Sequence, residues 1–160
     1  MDVKEYKINL GDDVNIILGQ SHFIKTVSDL AEIISTTTVG AKFAVAFNEA
    51  SGPCLVRYEG NDDDLIKKAV DIMLNLKAGH TFVILLKNCY PINILSKVKM
   101  CDEVVTIFCA SANPLTVLTA ETNGGAAVIG VVDGLSPKGV EQKEDKIKRS
   151  EFLKKIGYKY

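Results

Sequence analysis

HTFVILLKN, residues 80–88, constrains the fold more than any other stretch, because Phe82 to Leu86 are large apolar residues without interruption. A strand points successive side chains to opposite faces, so such a run needs cover on both sides of its sheet. It reads as a central strand with other elements packed above and below. The chain of 160 residues, 47% hydrophobic and 24% charged, is long enough to bury one sizeable core around it.

The flanking pattern alternates between strand and helix signals. VKEYKINL (3–10) and VNIIL (14–18) read as strands of a hairpin joined by the Gly11-Asp12-Asp13 turn. Thr26 is placed to cap a helix from Val27 to about Thr36, with Asp29 three residues on as a capping-box analogue. KFAVAFNE (42–49) and CLVRYE (54–59) form a strand pair around ASGP. Asn61 and the aspartates 62–64 open a second helix that runs through Lys77 and ends at Gly79. Pro91 starts a short helix, where proline suits the first helical position. EVVTIFCAS (103–111), PLTVLTAET (114–122) and AAVIGVVDG (126–134) supply further strands. A charged amphipathic helix over about 143–156 closes the chain, with Ile147, Phe152 and Ile156 available for docking. The expected fold is a single α/β domain over residues 1–160, with a mixed β-sheet of about seven to eight strands and three to four helices.

Charge and composition exclude several function classes. A net charge of −1 argues against a protein that coats nucleic acid, which is bound through clustered Lys and Arg. No run approaches the roughly 18 apolar residues of a membrane span, and MDVKEYKINL lacks the plan of a signal peptide. The expectation is a cytoplasmic protein with a small-molecule partner, without nucleic acid or membrane. Cys54, Cys89, Cys101 and Cys109 show no C-x-x-C pair, and the apolar runs around Cys54 and Cys109 predict buried thiols. Asp62, Asp63 and Asp64 point in different directions on a helical first turn, so no residue is assigned to a metal.

GQSHFIKT, residues 19–26, sits where a phosphate-binding loop would, between a strand and a helix, but Ile24 stands in place of the second glycine of G-x-x-x-x-G-K-[ST]. A glycine nest is therefore ruled out. What remains is a helix N-terminus, Lys25 beside it and the imidazole of His22, a nucleophile or general base. NEASGP (48–53), KNCYPIN (87–93), ASANP (110–114) and VVDG (131–134) are polar interruptions at strand ends, and together they suggest the rim of a site.

The ordered set GQSHFIKT, FNEASGPCLVRYEGND, GHTFVILLKNCYPINIL, FCASANP and GVVDG resembles the adenosine-specific kinase family over nearly the whole chain. The resemblance implies an α/β domain assembling as a homotrimer, binding adenosine or AMP, and using a phosphorylatable histidine. His22, in a polar turn beside Gln20, Ser21 and Lys25, is favoured over His80, which opens an apolar strand and is the alternative phosphorylated histidine. Lys25 would neutralise the phosphoryl group. Gln20, Asn48, Glu49 and Ser51 would contact substrate, the last three through ribose hydroxyls. Asn88, Tyr90 and Asn93 would read or stack on adenine, and Asn113 and Asp133 would contribute further substrate contacts. The phosphoryl donor is open, a nucleotide with Mg2+ being one form of it. A non-catalytic module that senses adenosine nucleotides is the alternative function.

Overall fold

The computed structural model describes residues 2–160. Its elements follow as β1 (Asp2–Ile8), β2 (Asn15–Ser21), α1 (Thr26–Thr37), β3 (Lys42–Asn48), β4 (Val56–Gly60), α2 (Asp63–Leu76), β5 (Thr81–Lys87), α3 (Pro91–Lys99), β6 (Val104–Ser111), β7 (Leu115–Thr122), β8 (Gly125–Asp133) and α4 (Lys143–Lys155). They form one α/β domain. β5 takes the central place that its apolar run demands, in a five-stranded sheet of order β4-β3-β5-β2-β6. Phe82, Val83, Ile84, Leu85 and Leu86 are fully buried, with side chains alternating between two cores. Ile17, Phe47, Phe82 and Ile84 meet α1 and α3 on one face, while Ile16, Leu18, Val83 and Leu85 meet α2 and residues of β1 and β7 on the other.

The pairing departs from a single mixed sheet. Strands β1, β7 and β8 form a separate three-stranded sheet, and neighbours within both sheets run antiparallel. Nor do β1 and β2 form the expected hairpin: β1 pairs β7, with Lys4 opposite Thr119. The reason lies in burial. Asn15 to Leu18 are buried and need an inner position between β5 and β6, whereas β1 is exposed over Asp2–Glu5 and suits a strand covered on one side. Periodicity reports that a segment is a strand but not which strand it joins.

Local signals at helix ends were partly redirected. Asp62 caps α2 by accepting from the Leu65 N–H at 3.1 Å, but Asn61 bridges strands instead, accepting from Phe43 N and donating to the Ala41 carbonyl. The helix stops at Leu76 with Lys77 left-handed at φ 55°, before Gly79 is reached. Thr26 does not cap α1; its hydroxyl donates back to the Phe23 carbonyl, and Asp29 is held by Lys25 at 2.6 Å. Cys54 is exposed rather than buried, because it lies in the β3–β4 turn at φ 52°. Helix α4 forms as expected, yet none of its residues is buried.

Candidate functional site

Antiparallel pairing decides which strand ends meet. In a parallel sheet every C-terminal end shares one edge, the geometry behind the rule that sites lie beyond those ends. Here β2 and β3 end at one edge, while β5 and β6 end at the other. The predicted residues divide accordingly. Gln20, His22, Lys25, Asn48, Glu49, Ser51 and His80 gather at the first edge; Asn88, Tyr90, Asn93, Asn113 and Asp133 lie at the second. The length of β5 separates the two groups by about 25 Å.

The first edge is closely tied together. The Ser21 N–H donates to the His80 carbonyl at 2.9 Å, the His80 N–H to the Asn48 carbonyl at 2.7 Å, and the His22 N–H to the Glu103 carbonyl at 3.0 Å. Both histidines therefore belong to one place. His80 is half-buried at φ 58°, a left-handed conformation unusual for a side-chain-bearing residue, with its ring stacked on Phe47 at 5.7 Å. His22 is exposed.

Glu49 accepts from the Leu55 N–H at 3.0 Å and from Arg57 at 3.1 and 3.2 Å. The Leu55 N–H, and then Arg57, hold its carboxyl below the usual glutamate range. Lys25 is already paired, 2.6 Å from Asp29 and 3.7 Å from Glu103. The Asp29 partnership raises its pKa, and the same hydrogen bond lowers that of Asp29. Two polar atoms are buried without a partner among the described residues, Ser21 Oγ and Arg57 Nε. Both lie at this edge: Ser21 follows the residue paired with Thr81, and Arg57 stands directly opposite Phe47, the residue on which the His80 ring stacks.

GQSHFIKT works differently from a phosphate loop. A Cβ on Gly19 would stand 2.5 Å from Phe82 and 2.6 Å from the Thr106 carbonyl, so packing demands that glycine. The start of α1 is closed on itself: Thr26 N and Val27 N donate to the Phe23 and Ile24 carbonyls.

Several residues assigned from sequence make contacts within the fold. The Asn48 amide donates to the Met73 and Ala78 carbonyls, each at 3.0 Å, clamping the end of α2. Asn93 accepts from the Tyr90 N–H at 2.8 Å, opening α3. Asp133 accepts from Ser111 at 2.6 Å and Asn113 at 3.0 Å, joining β6 to the end of β8. Ser51 is exposed in the β3–β4 turn, with its carbonyl accepting from Cys54 N. Tyr90 meets Tyr158 edge to face at 6.4 Å, and Asn88, at φ 58°, lines a cleft of about 430 Å³ with Asn15 and Tyr90.

At the first edge a cleft of about 320 Å³ is lined by Asn48, Glu49, Val56, Met73, Lys77 and Gly79, with Gly124 and Gly125 of the β7–β8 turn closing one side. Gly79 of its lining precedes His80 in the chain, while the His80 ring stacks on Phe47, on the α1/α3 face of the sheet. Lys77, Met73 and the 124–125 turn gave no signal in the sequence, since only folding brings the far hairpin against α2; the αL lysine is visible as such only from its φ.

Asp29, Cys101 and Glu103 place ligand atoms within 4.8 Å of one another. They do not suit Mg2+, which wants oxygen ligands. The Lys25 ammonium already occupies the charge, and burial keeps the Cys101 thiol neutral by pushing its pKa up to about 11. Among the described residues no helix is long and apolar enough to cross a membrane.

The sequence model described as adenosine specific kinase matches residues 6–159. A comparison with curated proteins finds no match. Among solved structures, the chain is similar to the PH1918 protein from Pyrococcus horikoshii OT3, at 46% identity and a TM-score of 0.91 over 99% of each chain. The match of the family across nearly the full length, on the fold and edge just described, carries one conclusion: the chain belongs to the adenosine-specific kinase family.

Proposed function

We propose that this protein transfers a phosphoryl group to adenosine, forming AMP, through a phosphohistidine at the first edge. The observation that carries the reading is the meeting of both histidine segments at one sheet edge, where the Ser21 N–H donates to the His80 carbonyl and the His80 N–H to the Asn48 carbonyl, together with the cleft lined by Asn48, Glu49, Val56 and Met73 at that same edge. The nucleoside occupies the cleft, its base against Met73 and Val56 and its ribose hydroxyls on the Glu49 carboxylate. A carboxylate held below its usual pKa is a better hydroxyl acceptor than proton acceptor, so Glu49 orients.

In the first step an imidazole nitrogen attacks the terminal phosphorus of a nucleoside triphosphate. A P–N bond forms, the P–O bond to the nucleoside diphosphate breaks, and the imidazole proton is released. In the second, a ribose hydroxyl attacks that phosphorus; the P–N bond breaks and the hydroxyl proton ends on the freed imidazole. Lys25, kept protonated by Asp29, turns from its carboxylates toward the transferring group. Asn88, Tyr90, Asn93, Asn113 and Asp133 stand outside a site built within one protomer. The reading extends to a cytoplasmic homotrimer as the working form.

Incubation with adenosine and ATP, followed by assay for AMP, tests the reaction. Labelled protein should carry an acid-labile, base-stable phosphate, and His22→Asn and His80→Asn made separately identify its carrier. Adenosine binding without AMP formation would make the protein a binding module. Turnover unchanged in both variants would replace the phosphohistidine by direct transfer.

A further inference from the structure

We propose that Lys77, with the bare backbone of the 124–125 turn, forms a phosphate subsite in the first-edge cleft, so that the cleft holds a nucleoside monophosphate more tightly than the nucleoside. The inference rests on the nucleoside reading of that cleft and adds the group that grips the product. Two charged side chains line the cleft, Glu49 and Lys77. Glu49 is committed to Arg57 at 3.1 Å and to the Leu55 N–H at 3.0 Å. Lys77 is not, since among the described residues no carboxylate pairs with its ammonium. Glu121, on the strand that leads into the 124–125 turn, is taken by Lys4 at 2.5 Å. The hydrogen bond from Lys4, and then more weakly the charge of Lys77, hold the Glu121 carboxyl below the usual range. The Lys77 ammonium therefore lies within electrostatic range of the turn that closes the cleft, yet is tied to nothing there.

The backbone shows that a side chain is kept at this position. Lys77 and His80 are both left-handed, at φ 55° and 58°, a conformation that favours glycine. Between them the chain does use a glycine, but for packing: a Cβ on Gly79 would stand 2.9 Å from that of Ala50. Lysine thus occupies a place where glycine would sit without strain. Its stem is firmly held. The Lys77 N–H donates to the Met73 carbonyl at 3.2 Å, the Ala78 carbonyl accepts from Asn48 at 3.0 Å and from Thr81 at 2.6 Å, and Ala78 bridges to Ala126 just past the turn. Strained backbone that its surroundings hold in this way clusters at ligand clamps.

The wall of the cleft beside Lys77 is bare. A Cβ on Gly124 or Gly125 would meet nothing within 4 Å, whereas packing demands the glycine at position 19. The Gly124 N–H has only a long contact, 3.4 Å, to the Thr122 hydroxyl. Backbone without side chains lets an oxyanion approach closely. A point charge with backbone amides suits phosphate; a planar carboxylate is met best by an arginine fork, and the nearby Arg57 already holds Glu49. A volume of about 320 Å³ is at the small end for ligand clefts and suits a mononucleotide. Lys25 cannot fill this role. It starts α1, on the opposite face of the sheet from Met73 and Val56, and is held by Asp29 and Glu103. The two lysines divide the reaction, Lys25 serving the donor side and Lys77 the phosphorylated product.

Calorimetry with adenosine, AMP and inorganic phosphate tests the subsite. Wild type should bind AMP at least about tenfold more tightly than adenosine, the gain from one charge-assisted hydrogen bond. That preference should shrink as salt is raised while adenosine affinity holds. Lys77→Asn, whose side chain tolerates the left-handed conformation, should erase the preference and leave adenosine binding nearly unchanged. Lys77→Gly, which removes the strain together with the charge, should give the same result if the asparagine variant melts early, and Lys77→Arg should keep most of the preference. The subsite is overturned if wild type binds AMP no more tightly than adenosine, or if the folded Lys77→Asn or Lys77→Gly chain keeps the preference. Failure of the nucleoside reading looks different: adenosine does not bind, while AMP and inorganic phosphate bind wild type and lose affinity in Lys77→Asn, which leaves the subsite standing. Absence of binding by all three ligands overturns both.

Discussion

Asn48 separates the structural from the substrate-binding account of the first edge, and Asn48→Ala is the perturbation to make. Its side chain is 8% exposed and donates two hydrogen bonds of 3.0 Å, to Met73 and Ala78. Both carbonyls keep another donor after truncation, Met73 from Lys77 N at 3.2 Å and Ala78 from the Thr81 hydroxyl at 2.6 Å. No buried acceptor is orphaned, so the loss is that of two ordinary hydrogen bonds, about 1 kcal/mol each. The sum of about 2 kcal/mol is a substantial part of the 5–15 kcal/mol that holds a typical domain. Urea denaturation should show a lower midpoint at unchanged slope. Adenosine affinity by calorimetry, at a temperature where the variant is folded, should change by no more than a few-fold. An unchanged midpoint together with lost adenosine affinity would refute the reasoning and return Asn48 to the ribose.

Gly19→Ala should destabilise by about 3 kcal/mol, because the new methyl meets Phe82 and the β6 backbone within 2.6 Å; thermal melting checks this, and a neutral result would mean that β6 yields there. Asp29 and Glu49 titrate below their ordinary values of 3.8 and 4.5, so the stability they contribute is complete above those values and is lost as pH falls below them; denaturation followed from pH 6 to 2 should show a decline that Glu49→Gln reduces. Burial pushes the Cys101 and Cys109 thiols up to about 11 and raises that of the buried Cys89, so iodoacetamide at pH 8 should label the exposed Cys54 alone, as read by peptide mass.

Much of the fold was legible because the signals were local. The run Phe82–Leu86 demanded a doubly covered strand and became the middle of the five-stranded sheet. Asp62 and Pro91 opened helices through backbone groups one turn away. The site was only half legible. GQSHFIKT and NEASGP lie at one edge, since β2 and β3 run in the same direction, two places apart in the sheet. KNCYPIN, ASANP and VVDG share the polar look of that group but belong to strands that end at the opposite edge. Asn48, Asn93 and Asp133 looked like ligand-binding groups because an amide or carboxylate at a strand end suits either role. Only their partners distinguish a clamp from a contact.

By itself the sequence determined which segments are strands and helices, that a core covers β5 on both faces, and that Ile24 denies GQSHFIKT a glycine nest, because propensity, periodicity and backbone sterics act within a few residues. Tertiary structure alone decided that β1 leaves β2 for β7, that His22 and His80 share an edge while Asn88 does not, that Lys25 is paired with Asp29 and Glu103, and that Lys77 and the 124–125 turn wall the cleft. Each of these depends on strand order and direction, set by the burial of the whole chain at once, and no window of neighbouring residues contains that information.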